Sequence, residues 1–224
     1  MRKSIVFLLA MVFAACTEDE KPGVPESSAT GTMQDKEGNT YRWVRIDSLD
    51  WMAENLHSGI RWYRQGTAAN PKFSYSDSTV CARQFDIFGN YYSYTEALAQ
   101  CPEGWRLPTD DDWKCLERAF GMSKSEADKT GWRKGAARML AQSSETAAGI
   151  NLRYGGELVA FFSSDIELYH VYDYGLYWSS TLDTLQLQKC AYIRKITPAL
   201  DEVERVATPT ASKWMSVRYV RNAQ

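Results

Sequence analysis

The stretch Cys101-Pro102-Glu103-Gly104-Trp105-Arg106-Leu107-Pro108-Thr109-Asp110-Asp111-Asp112-Trp113 decides how this chain is read. Pro102 and Gly104 are turn residues ahead of Trp105, and Leu107-Pro108 makes a second turn behind it. Thr109 is a good helix N-cap. Asp110, Asp111 and Asp112 then fill the first turn, where the helix dipole favours carboxylates. Trp113, Leu116 and Phe120 fall on one face, and Gly121 stops the helix. The block predicts a capped helix with Trp105 and Trp113 in the core, each indole N–H on a carbonyl. Three adjacent carboxylates also suggest a hard cation. Consecutive helical residues point in different directions, so the three do not converge, and no metal is expected.

Outward from this block the pattern is mostly that of strands. Asp35 to Asn39 is turn chemistry, and Thr40 to Ile46 alternates like a half-buried strand. Asp47 to Asp50 makes a second turn, and Trp51-Met52 starts a short strand. Ser58 to Thr79 has no periodicity and reads as a surface loop. Tyr94 to Gln100 reads as a short helix. Ser123 with Glu126 caps another, and Trp132 to Gln142 is helix-prone. Beyond these, Ile150–Tyr154, Tyr177–Ser180, Cys190–Ile196 and Trp214–Val220 read as strands. Strands, then helices, then strands predict an α+β fold with a mainly antiparallel twisted sheet.

Charge and composition narrow the classes. The 224 residues carry 26 Lys plus Arg against 28 Asp plus Glu, a formal −2. No cation excess is available to displace nucleic-acid counterions, so no nucleic-acid partner is expected. With 44% hydrophobic and 24% charged residues, most of the chain should fold. The N-terminus is different. Arg2 and Lys3 precede an apolar run, Ile5 to Ala15, much shorter than the roughly 20 residues of a membrane-spanning helix. That run fits a signal peptide. Phe13-Ala14-Ala15-Cys16 resembles a bacterial lipobox, which implies residues 1–15 as a lipoprotein signal and lipidation of Cys16. Thr17-Glu18-Asp19-Glu20 resembles the surface-export signal of Bacteroidetes lipoproteins. Residues 16–31 then read as a lipidated, flexible tether and 32–224 as one domain. The expected partner is the membrane through the lipid anchor, at the outer membrane and facing the cell exterior. Four cysteines remain: Cys81, Cys101, Cys115 and Cys190. They allow three connectivities, and spacing does not choose among them.

Several blocks, in order, are similar to one family. Asp35-x-x-Gly38-Asn39-x-Tyr41 and Trp51-Met52-Ala53-Glu54-Asn55-Leu56 open the series, and the block from Cys101 to Trp113 is its centre. Gly155-Gly156-Glu157, Tyr177-Trp178-Ser179-Ser180-Thr181 and Ser216-Val217-Arg218-Tyr219-Val220-Arg221 follow. The chain resembles the Fibrobacter succinogenes major paralogous domain over about residues 32 to 222. The resemblance implies a C-type lectin-like fold and an exported or surface lipoprotein module, with no known reaction. Lectin-like folds often tie a helix Cys to the last strand. Here Tyr219 stands where the closing block usually has Cys. The resemblance therefore implies Cys101 with Cys190, and Cys81 with Cys115.

No residue set singles out catalysis. Formylglycine-generating enzymes, which share the lectin-like fold, need two close cysteines late in the chain, and only Cys190 is there. No Gly-x-Ser-x-Gly elbow occurs. The motifs that hold calcium in sugar-binding lectins are missing, and His57 and His170 lie far apart. The chain is read as a non-catalytic surface module without a cofactor, for an unknown protein or glycan ligand. The alternative is a structural subunit of an appendage or envelope complex; a formylglycine-type enzyme ranks third. In lectin-like folds the loops before and between the late strands bind ligand. These are Phe161–Gly175, Leu182–Lys189 and Thr197–Lys213. The first is dense in Tyr, which supplies rigid amphipathic contact area. Tyr169, His170, Tyr172, Asp173 and Tyr174 are the candidate ligand residues.

Overall fold

The structure, a computed structural model, describes residues 27–62, 78–141, 149–160 and 166–224. Cys16, the signal segment and most of the tether lie outside the described residues. Chain order begins with β1 (Thr30–Gln34), β2 (Thr40–Ile46) and β3 (Leu49–Met52). Helices α1 (Ser78–Phe88), α2 (Tyr94–Ala99), α3 (Asp110–Ala119) and α4 (Lys124–Ala127) follow. Then come β4 (Gly131–Lys134), α5 (Ala137–Ala141), β5 (Glu157–Ala160) and β6 (Ile166–Tyr169). The last elements are β7 (Gly175–Asp183), β8 (Cys190–Ile196), β9 (Glu202–Pro209), β10 (Lys213–Trp214) and β11 (Val220–Asn222). The strands form three sheets ordered β1-β2-β3-β11, β10-β5-β6 and β4-β9-β8-β7. All their pairings are antiparallel. The fold is α+β, with short helices beside antiparallel sheets. Strand β1 starts two residues inside the stretch read as tether, and Ala29 already accepts the Arg45 N–H at 2.8 Å.

The central block folds as its residues dictate. Trp105 N–H closes a turn on Pro102 O, with Gly104 at φ +77. Thr109 and Asp112 form a reciprocal capping box on α3. Arg106 and Val220 exchange backbone hydrogen bonds at 2.8 and 2.9 Å, which pins the block to the last strand. Trp51, Trp113 and Tyr177 meet in one buried cluster, with Trp51 and Trp113 ring centroids 5.0 Å apart. Trp178 and Trp105 lie in a second cluster. There the Trp178 indole donates to Tyr92 O at 2.7 Å.

The opening and closing blocks meet at Asn55. Its side-chain N–H groups donate to Phe88 O (2.7 Å) and Ser216 Oγ (3.3 Å), while Oδ1 accepts from Arg218 (2.6 Å). One amide therefore joins the end of α1 to residues more than a hundred positions away.

Three expectations of secondary structure are corrected, and buried arginines account for each. In Trp132 to Gln142, read as helix-prone, residues 132–134 belong to strand β4, and helix α5 begins only at Ala137. Thr197–Lys213, read as a ligand loop, contains strand β9. The inward positions of these strands carry Arg133 and Arg205, where a hydrophobic pattern expects apolar residues. Together with Arg194 on β8 they surround Glu117 and Asp110 of α3. Arg133 is bidentate to Glu117 at 2.7 and 2.8 Å. Arg194 reaches Glu117 at 2.6 Å and Asp110 at 2.8 Å, and Arg205 takes Asp110 at 2.7 Å. Arg133, Arg194 and Glu117 are fully buried. Residues 150–154, read as a strand, are irregular. The Ile150 and Asn151 carbonyls accept from Arg218 instead of from a neighbouring strand. Helix α1 is a further element that the periodicity did not reveal.

The expected disulfides, Cys101 with Cys190 and Cys81 with Cys115, are not formed, and none of the four sulfurs is bridged. Cys101 donates to Trp105 O at 2.9 Å. The tie between α2 and the last strand is polar instead: the Tyr219 hydroxyl donates to Ala97 O at 2.7 Å. Cys81 sits in the cluster under α1, and Cys115 receives a hydrogen bond from Arg118 on α3. Cys190 is buried at the start of β8.

The three carboxylates of α3 diverge. Asp110 turns into the arginine network, Asp111 pairs with Lys114 at 3.1 Å, and Asp112 caps the helix and pairs with Arg106. Burial alone raises the Asp110 carboxyl, but Arg205 and Arg194 outweigh it and hold it well below the usual range. Burial is likewise outweighed at Asp50 by Arg45 and Arg221, and at Asp112 by Arg106 and Thr109. These depressed groups stabilise the fold above the unfolded carboxylate value of about 3.9. That contribution is lost as pH falls through the folded values. Urea midpoints should stay nearly level from about pH 7 to 5 and drop steeply below about pH 4. A level profile down to about pH 2 would contradict this ion-pair account.

Candidate functional site

The Tyr-rich segment divides into strand and turn. Tyr169 ends β6, residues 170–174 turn, and Gly175 starts β7. Two non-glycine residues here take left-handed backbone angles, His170 at φ 61 and Tyr172 at φ 71. Such angles cost energy at each residue, and the surroundings must hold them. Asp173 N–H and Tyr174 N–H both donate to His170 O, and Tyr172 N–H donates to Tyr154 O at 2.8 Å. Gly156 makes the close approach possible. Its N–H reaches Tyr174 O at 2.7 Å, and a Cβ there would lie 2.0 Å from Tyr169 O.

The five candidate residues share this turn but differ in exposure. Tyr172 is 58% exposed and braces edge-on against Phe88, with ring centroids 5.3 Å apart. His170 and Asp173 are exposed, while Tyr169 and Tyr174 are half-buried. Tyr174 packs on the second core cluster, and Lys195 lies over its ring at 4.1 Å. His170 meets Tyr174 edge-on at 5.2 Å. Beneath the turn, buried Glu157 holds Lys213 at 2.8 Å and lies 4.0 Å from His170. The Tyr169 hydroxyl donates to Glu167.

The same surface includes residues outside the Tyr run. Lys195 also lies 5.2 Å from the partly exposed Trp132 ring, which extends the aromatic face onto β4. Trp132 sits at the outward position of β4, and the inward position is taken by Arg133. Of the other two loops named from sequence, Leu182–Lys189 begins with the last two residues of β7 and continues as a turn with Leu185 and Leu187 out in solvent. Residues 161–165 of the first lie outside the described residues. Among the described residues, no group of three or more His, Cys, Asp or Glu is placed to hold a metal ion. No described helix is long and apolar enough to cross a membrane.

Fold and surface together define an α+β domain assembled from Trp-centred blocks, with one braced aromatic turn on its outside. The model of the Fibrobacter succinogenes major domain matches residues 44–221, and the chain belongs to that family. No curated protein and no solved structure matches it.

Proposed function

We propose that this chain is a non-catalytic recognition module with a C-type lectin-like fold, presented on the outer membrane by a lipid on Cys16. Its ligand is an exterior protein or glycan. The observation that carries this reading is the braced, exposed Tyr172 in a turn where two non-glycine residues hold left-handed angles. Strain of this kind is tolerated where surrounding contacts over-determine it, and it concentrates at binding and catalytic sites. A rigid Tyr also loses little entropy when it is covered. The 3% exposure of Cys190 favours this reading over a formylglycine-type enzyme, whose reaction needs late reactive thiols.

Tyr172→Ala should weaken ligand or cell adhesion about tenfold or more, at the scale of an interface anchor. Its melting temperature should stay within about 2 °C, because an exposed ring carries little of the fold. Unchanged adhesion in a folded variant would remove the turn as the site. The second reading, a structural subunit, draws on Leu185 and Leu187. They are 90% and 109% exposed at the β7–β8 tip, where a packed neighbour would cover them.

A further inference from the structure

A cleft of about 240 Å³ opens beside the Tyr turn, and the turn does not account for its chemistry. It lies between the end of α1, the opening block and residues 151–153, and Arg218 forms part of its lining. Arg218 is only 1% exposed. Its hydrogen bonds go to neutral acceptors: Asn55 Oδ1 (2.6 Å), Met52 O (3.0 Å), Ile150 O (2.8 Å) and Asn151 O (2.7 Å). No carboxylate among the described residues touches it. The contrast with Arg133, Arg194 and Arg205 is direct, since each of those holds a carboxylate. Burial pushes the Arg218 guanidinium down to about 10, which still leaves it charged at neutral pH.

Asn151 supplies the second observation. It is 5% exposed and lines the cleft, and its side-chain oxygen accepts no hydrogen bond. A buried acceptor of this kind asks for a donor. At the rim, Arg153 is exposed and makes no ion pair among the described residues, whereas Arg42 is taken by Glu54 at 3.2 Å. Three guanidinium groups thus line the cleft against two carboxylates, Glu54 and Asp86. Burial lowers the pKa of His57, the other titratable group there, so it is neutral near pH 7. One positive charge is left over, and its field inside a desolvated wall is weakly screened.

We propose that this cleft binds a small hydroxylated carboxylate, a uronic acid being the simplest. The carboxylate faces Arg153 above Arg218, and a neighbouring hydroxyl donates to Asn151 Oδ1. The volume is below the roughly 300–1,000 Å³ of sites for drug-sized ligands, which limits the occupant to about one sugar ring. The proposal deepens the recognition reading and rests on it in one respect. Asp86 and Ile87 of α1 line the cleft, and the next residue, Phe88, braces Tyr172. A longer acidic glycan would pass from the cleft onto that ring.

The test titrates the folded chain with glucuronate, with glucose as the uncharged control, by calorimetry. Saturable glucuronate binding is expected, about tenfold or more tighter than glucose and weakening with salt. Arg153→Gln should weaken it about tenfold or more at an unchanged melting temperature, since that side chain is exposed. Asn151→Asp should do the same by placing an anion against Arg218, while an Asp still tolerates φ near +52. No saturable glucuronate binding, equal binding of glucose, or full binding by folded Arg153→Gln would overturn the proposal. Ligand capture that depends on Tyr172 without glucuronate binding would defeat this site and leave the recognition reading standing. Loss of both would defeat both.

Discussion

Glu117→Gln should unfold at a far lower urea concentration than the parent chain, with a loss of about 3–5 kcal/mol. Glu117 is the anion shared by Arg133 and Arg194, and all three side chains are buried. The amide keeps the volume and removes the charge. Arg133 then has no carboxylate, only the Val203 and Ala127 carbonyls. Arg194 and Arg205 would share Asp110, and the buried Arg133 would be left without an anion. Breaking a buried pair from one side costs far more than the pair is worth, because the remaining charge is stranded. The melting temperature should fall by roughly 10 °C. A shift under about 1 kcal/mol would mean that water reaches the network and screens it.

Gly156→Ala should be nearly as damaging, for a steric reason. The residue sits at φ +72, and an added Cβ would meet Tyr169 O at 2.0 Å and Val171 N at 2.9 Å. Both are backbone atoms of β6 and its turn, so no side chain can move aside. The expected loss is about 3–5 kcal/mol, at the upper end of single-residue effects. Ligand capture should be lost with it, because the turn that carries Tyr172 must shift. Gly104 provides the control. It has a similar φ of +77 but nothing within 4 Å of its added Cβ, so Gly104→Ala should cost only about 1–2 kcal/mol. Equal losses at the two positions would show that backbone strain alone decides and the close approach does not.

These two positions also mark the limit of what the residue pattern shows. The capped helix after Thr109, the Thr40–Ile46 strand and the Cys190–Ile196 strand follow from local chemistry, and the structure has them. Strands β4 and β9 were hidden because each carries a buried arginine at an inward position. A reading that sends charge outward turns Arg133 and Arg205 to solvent and takes the segment for helix or loop. Only the partner acids on α3, distant in sequence, make those positions buried. Residues 150–154 failed for a related reason, since their carbonyls serve the buried Arg218. The Tyr run was legible as a surface because Tyr is dense there. Its geometry was not, since Gly156, Phe88 and Lys195 are supplied by three other parts of the chain. The cleft left no local signal at all. Arg218 and Asn151 are separated by most of the late strands and meet only in the fold.

The central claim is that this domain recognises something outside itself. A glycan array and a pull-down, run side by side on the purified folded chain, test it most directly. The account predicts a defined glycan or protein ligand, captured by the isolated chain and lost in Tyr172→Ala. Capture of nothing on the array, together with stoichiometric co-purification of envelope subunits that Tyr172→Ala leaves intact, would contradict it.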